Sequence, residues 1–147
     1  YLRIDGKAVV FIYLTRVYFR DRGREPLSRL RKAHPDLYLV GDEVFGPRYH
    51  ERHARLWDAV TAYDVYGQSM KIDGATQEAL KRLHHNFANA KRVANSVGAA
   101  FVPGIAPGYN DRAVREGHAG RARYFSDLPD SEEGDIFRAM VSDIAIP

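Results

Sequence analysis

The chain has 147 residues, 45% of them hydrophobic and 28% charged, with 22 Lys and Arg against 19 Asp and Glu for a net charge of +3. That length suits one domain with a real core, and the arginine clusters, interspersed with acids, read as solvated surface rather than a nucleic-acid patch. With no cysteine, disulfides, thiol catalysis and cysteine-held metals are excluded, and no apolar run has the length to cross a bilayer.

The first residues, Tyr1–Gly6, read as a lead-in with a turn at Asp5-Gly6. Ala8–Tyr13 is a continuous apolar run rich in β-branched and aromatic residues, the pattern of a strand buried on both faces in a parallel sheet. Leu27–Ala33 has leucines at helical spacing, with Pro26 acceptable in its first turn and His34-Pro35 as its stop. Leu37–Val40 is the second strand, and a short helix is expected within Tyr49–Trp57. Ala59–Tyr66 is the third strand, less apolar than the first.

The next segment carries the clearest helical pattern. Over Thr76–Val97, Leu80, Leu83, Phe87, Ala90, Ala94 and Val97 recur at spacings of three and four, with Thr76 to cap the start and Gly98 to end the helix. Ala99–Val102 is the fourth strand, and Pro103 argues that it stops early. Tyr109–Asp130 is a long polar loop, of a length more often functional than idle. Ser131–Ala145 closes the chain as a helix capped by Ser131 or Asp130, with Glu132 and Glu133 in its first turn and Ile136, Phe137, Met140, Val141 and Ile144 on its apolar face.

Alternating strands and helices predict an α/β fold with a parallel sheet and right-handed crossovers. About four parallel strands and one long amphipathic helix suit part of a (β/α)8 barrel, with an open doubly wound sheet as the alternative. Both ends, Tyr1 approaching a strand and Pro147 just after a helical pattern, suggest that residues 1–147 form a single domain that is an internal piece of a larger barrel.

In parallel strands, the polar groups that end each strand converge on one rim: Thr15-Arg16, Asp42-Glu43, Tyr63-Asp64 with Tyr66, and Tyr109–Arg112. Asp42 and Glu43 are neighbours, so they point to opposite sides of an extended chain; Glu43 is expected to face the mouth. Tyr63, Asp64, Tyr66, Tyr109, Asp111 and Arg112 supply the rings, carboxylates and guanidinium that fix a sugar by its apolar face and its hydroxyls. No nucleotide-binding glycine motif and no serine elbow is present, and no cofactor is expected. His50, Glu51 and His53 read as a solvated helix face rather than metal ligands, because no matching further ligand accompanies them.

The run FVPGIAPGYNDRAVR, Phe101–Arg115, resembles the F-x-P-x-x-x-P-G-Y-x-D segment of glycoside hydrolase family 99, the endo-α-mannosidase and endo-α-mannanase group. YLRIDGKAVVFIY resembles that family's opening to a barrel strand, and TAYDVYG sits where the family has a strand with paired aromatics before a long helix. The resemblance implies a barrel acting on α-mannose-type or related glycans, with a retaining, endo-acting parent enzyme. It implies binding roles for Tyr109 and Asp111, and weaker ones for Glu43 and the group Tyr63–Tyr66. The family's catalytic glutamates belong to an N-E-W-x-E motif that this chain lacks, so no catalytic residue is carried over and the expected partner is an oligosaccharide or polysaccharide. A carbohydrate-binding or biosynthesis-associated protein without hydrolytic activity is the alternative. Asn110 and Arg112 depart from the family's commonest pattern, which leaves the particular glycan open.

Overall fold

The computed structural model describes residues 1–13, 15, 22–43, 45–63, 76–106, 108, 113–114, 116–117 and 122–145. Two compact units account for the chain: residues 1–63 with 89–102, and residues 64–88 with 103–147.

The first unit is built on a five-stranded sheet in the order β1-β2-β3-β4-β5. These strands are β1 (Arg3–Ile4), β2 (Lys7–Ile12), β3 (Leu37–Asp42), β4 (Ala59–Thr61) and β5 (Ala100–Val102). β1 pairs antiparallel with β2, and each later neighbour pair is parallel. The opening hairpin turns on Asp5 and Gly6, whose φ values of 50° and 77° are those of a two-residue type I′ turn. The turn is where the sequence placed it; the short strand before it, in residues read as a lead-in, is an addition.

Because consecutive parallel strands are neighbours throughout, the sheet has no point at which strand order reverses. A doubly wound sheet requires one. Leu39 and Val40 point to opposite faces of β3 and both are buried, which accounts for the unbroken apolar run. β4 is shorter than expected. Pairing ends at Thr61, and the N–H of Tyr63 donates to the Asp42 carboxylate at 2.8 Å instead of to a ladder carbonyl. β5 ends at Val102, so Pro103 lies just outside the ladder, as its missing donor requires.

Helix α1 (Arg24–Ala33) buries Leu27, and α2 (Glu51–Ala54) is a single turn. At the edge where strands begin, Asp58 is the organising group. Its carboxylate accepts from the Leu39 N–H at 2.8 Å and from Arg31 of α1 at 2.9 Å. Helix α3 (Gln77–Asn95) contributes Gln77–Ala88 to the second unit and Asn89–Asn95 to the first. Thr76 caps it by accepting from the Ala79 N–H at 3.1 Å. At its other end Gly98, at φ 79°, lets Ala99 N–H reach the Ala94 carbonyl and Gly98 N–H reach that of Asn95, the paired bonds of a Schellman motif. Ala79 and Val93 join the buried stripe, while Val97 is only half-buried.

In the second unit, α4 (Asp135–Met140) buries Ile136 and Met140, then widens into a π-helical turn over Val141–Ala145. The expected cap is corrected here. Gly134, at φ 99°, is the N-cap residue. Ser131 instead accepts from the Phe125 N–H and donates to Asp135, and the Asp135 carboxylate also takes the Glu132 N–H at 2.7 Å. The Gly134 N–H, which a Ser131 cap would take, donates instead to the Arg123 carbonyl at 3.0 Å, and the helix starts later. The Glu132 N–H, the Arg138 guanidinium and the Ser131 hydroxyl hold the Asp135 carboxyl below its usual range. Phe137, expected on the apolar face, is exposed.

Candidate functional site

Parallel pairing in the register Ile12↔Gly41 and Asp42↔Thr61 brings the ends of β2, β3 and β4 to one edge of the sheet. Thr15, Asp42 with Glu43, and Tyr63, from three of the four predicted polar sets, therefore share a rim in the first unit, while Arg16 lies outside the described residues. The Tyr109–Arg112 set lies outside the described residues, as do Asp64 and Tyr66. Tyr109, Asp111, Arg112, Asp64 and Tyr66 thus have no placement to report.

Tyr63 is 72% exposed and Tyr13 is 49% exposed. Their rings meet edge to face with centroids 5.1 Å apart, across the end of β3 that lies between their strands. Asp42 sits beside them and fixes the Tyr63 backbone through its carboxylate. Aromatic rings standing in water beside a carboxylate are the parts a polar, ring-shaped ligand needs.

Glu43 is not at that open surface: it is 5% exposed. Its Oε1 accepts from the Thr15 hydroxyl and from the Trp57 indole N–H, each at 2.9 Å. Its own N–H donates to the Thr61 carbonyl at 2.8 Å. Trp57 lies against Gly41, and alternation puts Gly41 and Glu43 on the same face of β3. Asp42 then shares the other face with Phe11, the partner of Val40 in the register, and Phe11 is 61% exposed. The expectation that Glu43 faces the mouth is therefore reversed: the neighbour pair splits as predicted, but Asp42 is the open member. The reason is Gly41. Its missing side chain admits the indole, and the indole N–H draws in the carboxylate.

Tyr49 completes the buried layer. Its ring meets Phe45 edge to face at 5.0 Å and stacks on His53 at 6.1 Å. Among the described residues its hydroxyl has no hydrogen-bond partner. Burial, and then the negative charge of Glu43, push its phenol well above the ordinary value near 10. The folded chain keeps a proton that the unfolded chain releases. The stabilisation is full below about pH 10 and falls by about 1.4 kcal/mol per pH unit above it. Tyr38, raised by burial and by Asp58 and Asp5, adds to the same alkaline limb. Tyr49→Phe is expected to flatten part of that limb and to leave stability near neutrality unchanged or higher by up to about 1 kcal/mol. Urea unfolding between about pH 8 and about pH 11 checks both parts.

Sequence reasoning had Thr15 and Tyr13 only as strand-end residues and did not single out Trp57 or Gly41. A lone tryptophan shortly before a strand was the available signal for Trp57, but nothing in the sequence ties it to a residue 14 positions away. Among the described residues, no group of three His, Asp or Glu side chains is placed to hold a metal ion, and no helix is long and apolar enough to cross a membrane. Comparisons with protein-family models, with curated proteins and with solved structures found no match.

Proposed function

We propose that this chain supplies part of the sugar-binding cleft of a glycoside hydrolase-like (β/α)8 barrel acting on α-mannose-type or related glycans. The observation that carries the reading is the exposed Tyr13–Tyr63 pair beside Asp42, at the edge where parallel strands end. Active sites of barrels form at that edge. The sequential strand order favours a barrel over a doubly wound sheet, since a barrel adds each new strand beside the last. Tyr109, Asp111 and Arg112, in the segment that resembles family 99, and Asp64 and Tyr66 are binding candidates from the sequence alone.

In this reading the chain binds and does not cut. Glycoside cleavage needs two carboxyl groups facing one another across the bond. Asp42 and Glu43 diverge to opposite faces, and Glu43 is occupied by Thr15 and Trp57. That divergence equally favours the second reading, a carbohydrate-binding protein without hydrolytic activity.

Calorimetric titration with α-mannan oligosaccharides, against a β-glucan control, tests the proposal. Saturable binding that barely responds to salt is expected, and Tyr63→Ala should weaken it by roughly tenfold without lowering stability, because a stacked ring is worth about 1 kcal/mol or more. Absence of binding to every mannose oligosaccharide, or equal affinity in the Tyr63 variant, overturns it. Affinity for nucleic acid that falls steeply with salt would point instead to phosphate contacts.

A further inference from the structure

The second unit holds a cavity of about 650 Å³, within the range of small-molecule sites. Its floor is apolar, with Leu80 and Phe125 buried and Leu128 more open. Its rim has two chemically different walls. Lys81 and His84, three apart on α3, form one; Ser142 and Asp143 form the other. Among the described residues, Lys81 and Asp143 have no ionic partner.

The second wall is built by the π-helical turn that follows α4. Single π turns interrupt regular helical bonding and are found often at functional sites. Here the turn carries Ser142 and Asp143 to the cavity, while the Ser142 hydroxyl donates to the Arg138 carbonyl at 2.8 Å. The cavity lining thus combines apolar side chains with a cation on α3 and a carboxylate on the π-helical turn.

The geometry points to a binding site for a small amphipathic molecule with an apolar body, a carboxylate at one end and a hydrogen-bond donor at the other. The carboxylate faces Lys81 and the donor faces Asp143. A carboxylate without the opposing donor would meet Asp143 unpaired, and a neutral molecule would leave Lys81 unused. Every residue in the argument belongs to the second unit, so the inference stands apart from the carbohydrate reading.

Three probes with nearly the same apolar body test it by calorimetry or ligand-observed NMR: para-hydroxyphenylpropanoate, phenylpropanoate and para-propylphenol. The first carries both polar ends and should bind most tightly, by roughly tenfold over either of the others. Lys81→Met should remove the advantage of para-hydroxyphenylpropanoate over para-propylphenol. Asp143→Ala should remove its advantage over phenylpropanoate. Both side chains are exposed, so circular dichroism of the variants should match the parent. Equal affinity for all three probes, indifference to either substitution, or no saturable binding of any probe overturns the assignment.

Discussion

Gly41→Ala is expected to cost about 3 kcal/mol of folding stability and to lower the melting temperature by roughly 10 °C. A Cβ at Gly41 would lie 2.4 Å from two carbons of the Trp57 indole and 2.7 Å from its nitrogen. Carbon atoms in contact settle at about 3.5–4 Å, so the ring or the strand must retreat by roughly 1 Å. Neither can do so freely. Gly41 sits in a strand paired on both sides, to Ile12 and to Val60. Trp57 is buried and its nitrogen is held by Glu43 at 2.9 Å. Whichever gives way, a hydrogen bond to a buried carboxylate stretches or breaks, which adds to the steric cost. Urea unfolding measures the loss. Trp57 is the chain's one tryptophan, so its emission reports any change in its surroundings directly. Gly46→Ala is the control: a Cβ there meets nothing within 4 Å, and its stability should stay close to that of the parent. Equal stabilities for the two variants would remove the packing account of Gly41.

What the residues disclosed in advance divides along the line between local and distant causes. The strands near Ala8 and Leu37 were legible as unbroken apolar runs, although only β3 is buried on both faces and β2, expected to be, leaves Phe11 61% exposed; periodicity alone located α3 to within a residue or two. The third strand was drawn too long. AYDVY keeps a strand-like composition after Thr61, yet the Tyr63 N–H finds Asp42 rather than a ladder partner. At the last helix the Gly134 N–H, which a Ser131 cap would take, finds the Arg123 carbonyl instead, while Asp135 takes the Glu132 N–H. The site shows the limit most clearly. Adjacency alone tells that Asp42 and Glu43 must diverge. Which of them turns inward depends on a tryptophan 14 residues away and on the space that one glycine leaves for it.

Removal of the Glu43 carboxylate is the complementary experiment, and here size and charge can be separated. Glu43→Ala deletes the acceptor shared by Thr15 and Trp57. Thr15 keeps an alternative, the Asp42 carbonyl at 2.7 Å. The Trp57 N–H has none recorded among the described residues, and a buried donor left without a partner costs about 1–3 kcal/mol. The lost side-chain volume adds a cavity term, for a total of about 3 kcal/mol. Glu43→Gln keeps an oxygen where Oε1 lies and should stay within about 1 kcal/mol of the parent, since weaker hydrogen bonds are offset by the lower cost of burying a neutral group. A second readout separates charge from packing. Burial alone would still raise the Tyr49 phenol in the glutamine variant, but the contribution from the Glu43 charge would be gone. The alkaline limb of its stability should therefore begin at the same pH, near the ordinary tyrosine value, but level off sooner and cost less in total, while its Trp57 emission stays close to that of the parent. If the alanine and glutamine variants lose equal stability, the carboxylate's charge rather than its acceptor oxygen holds Trp57 in place.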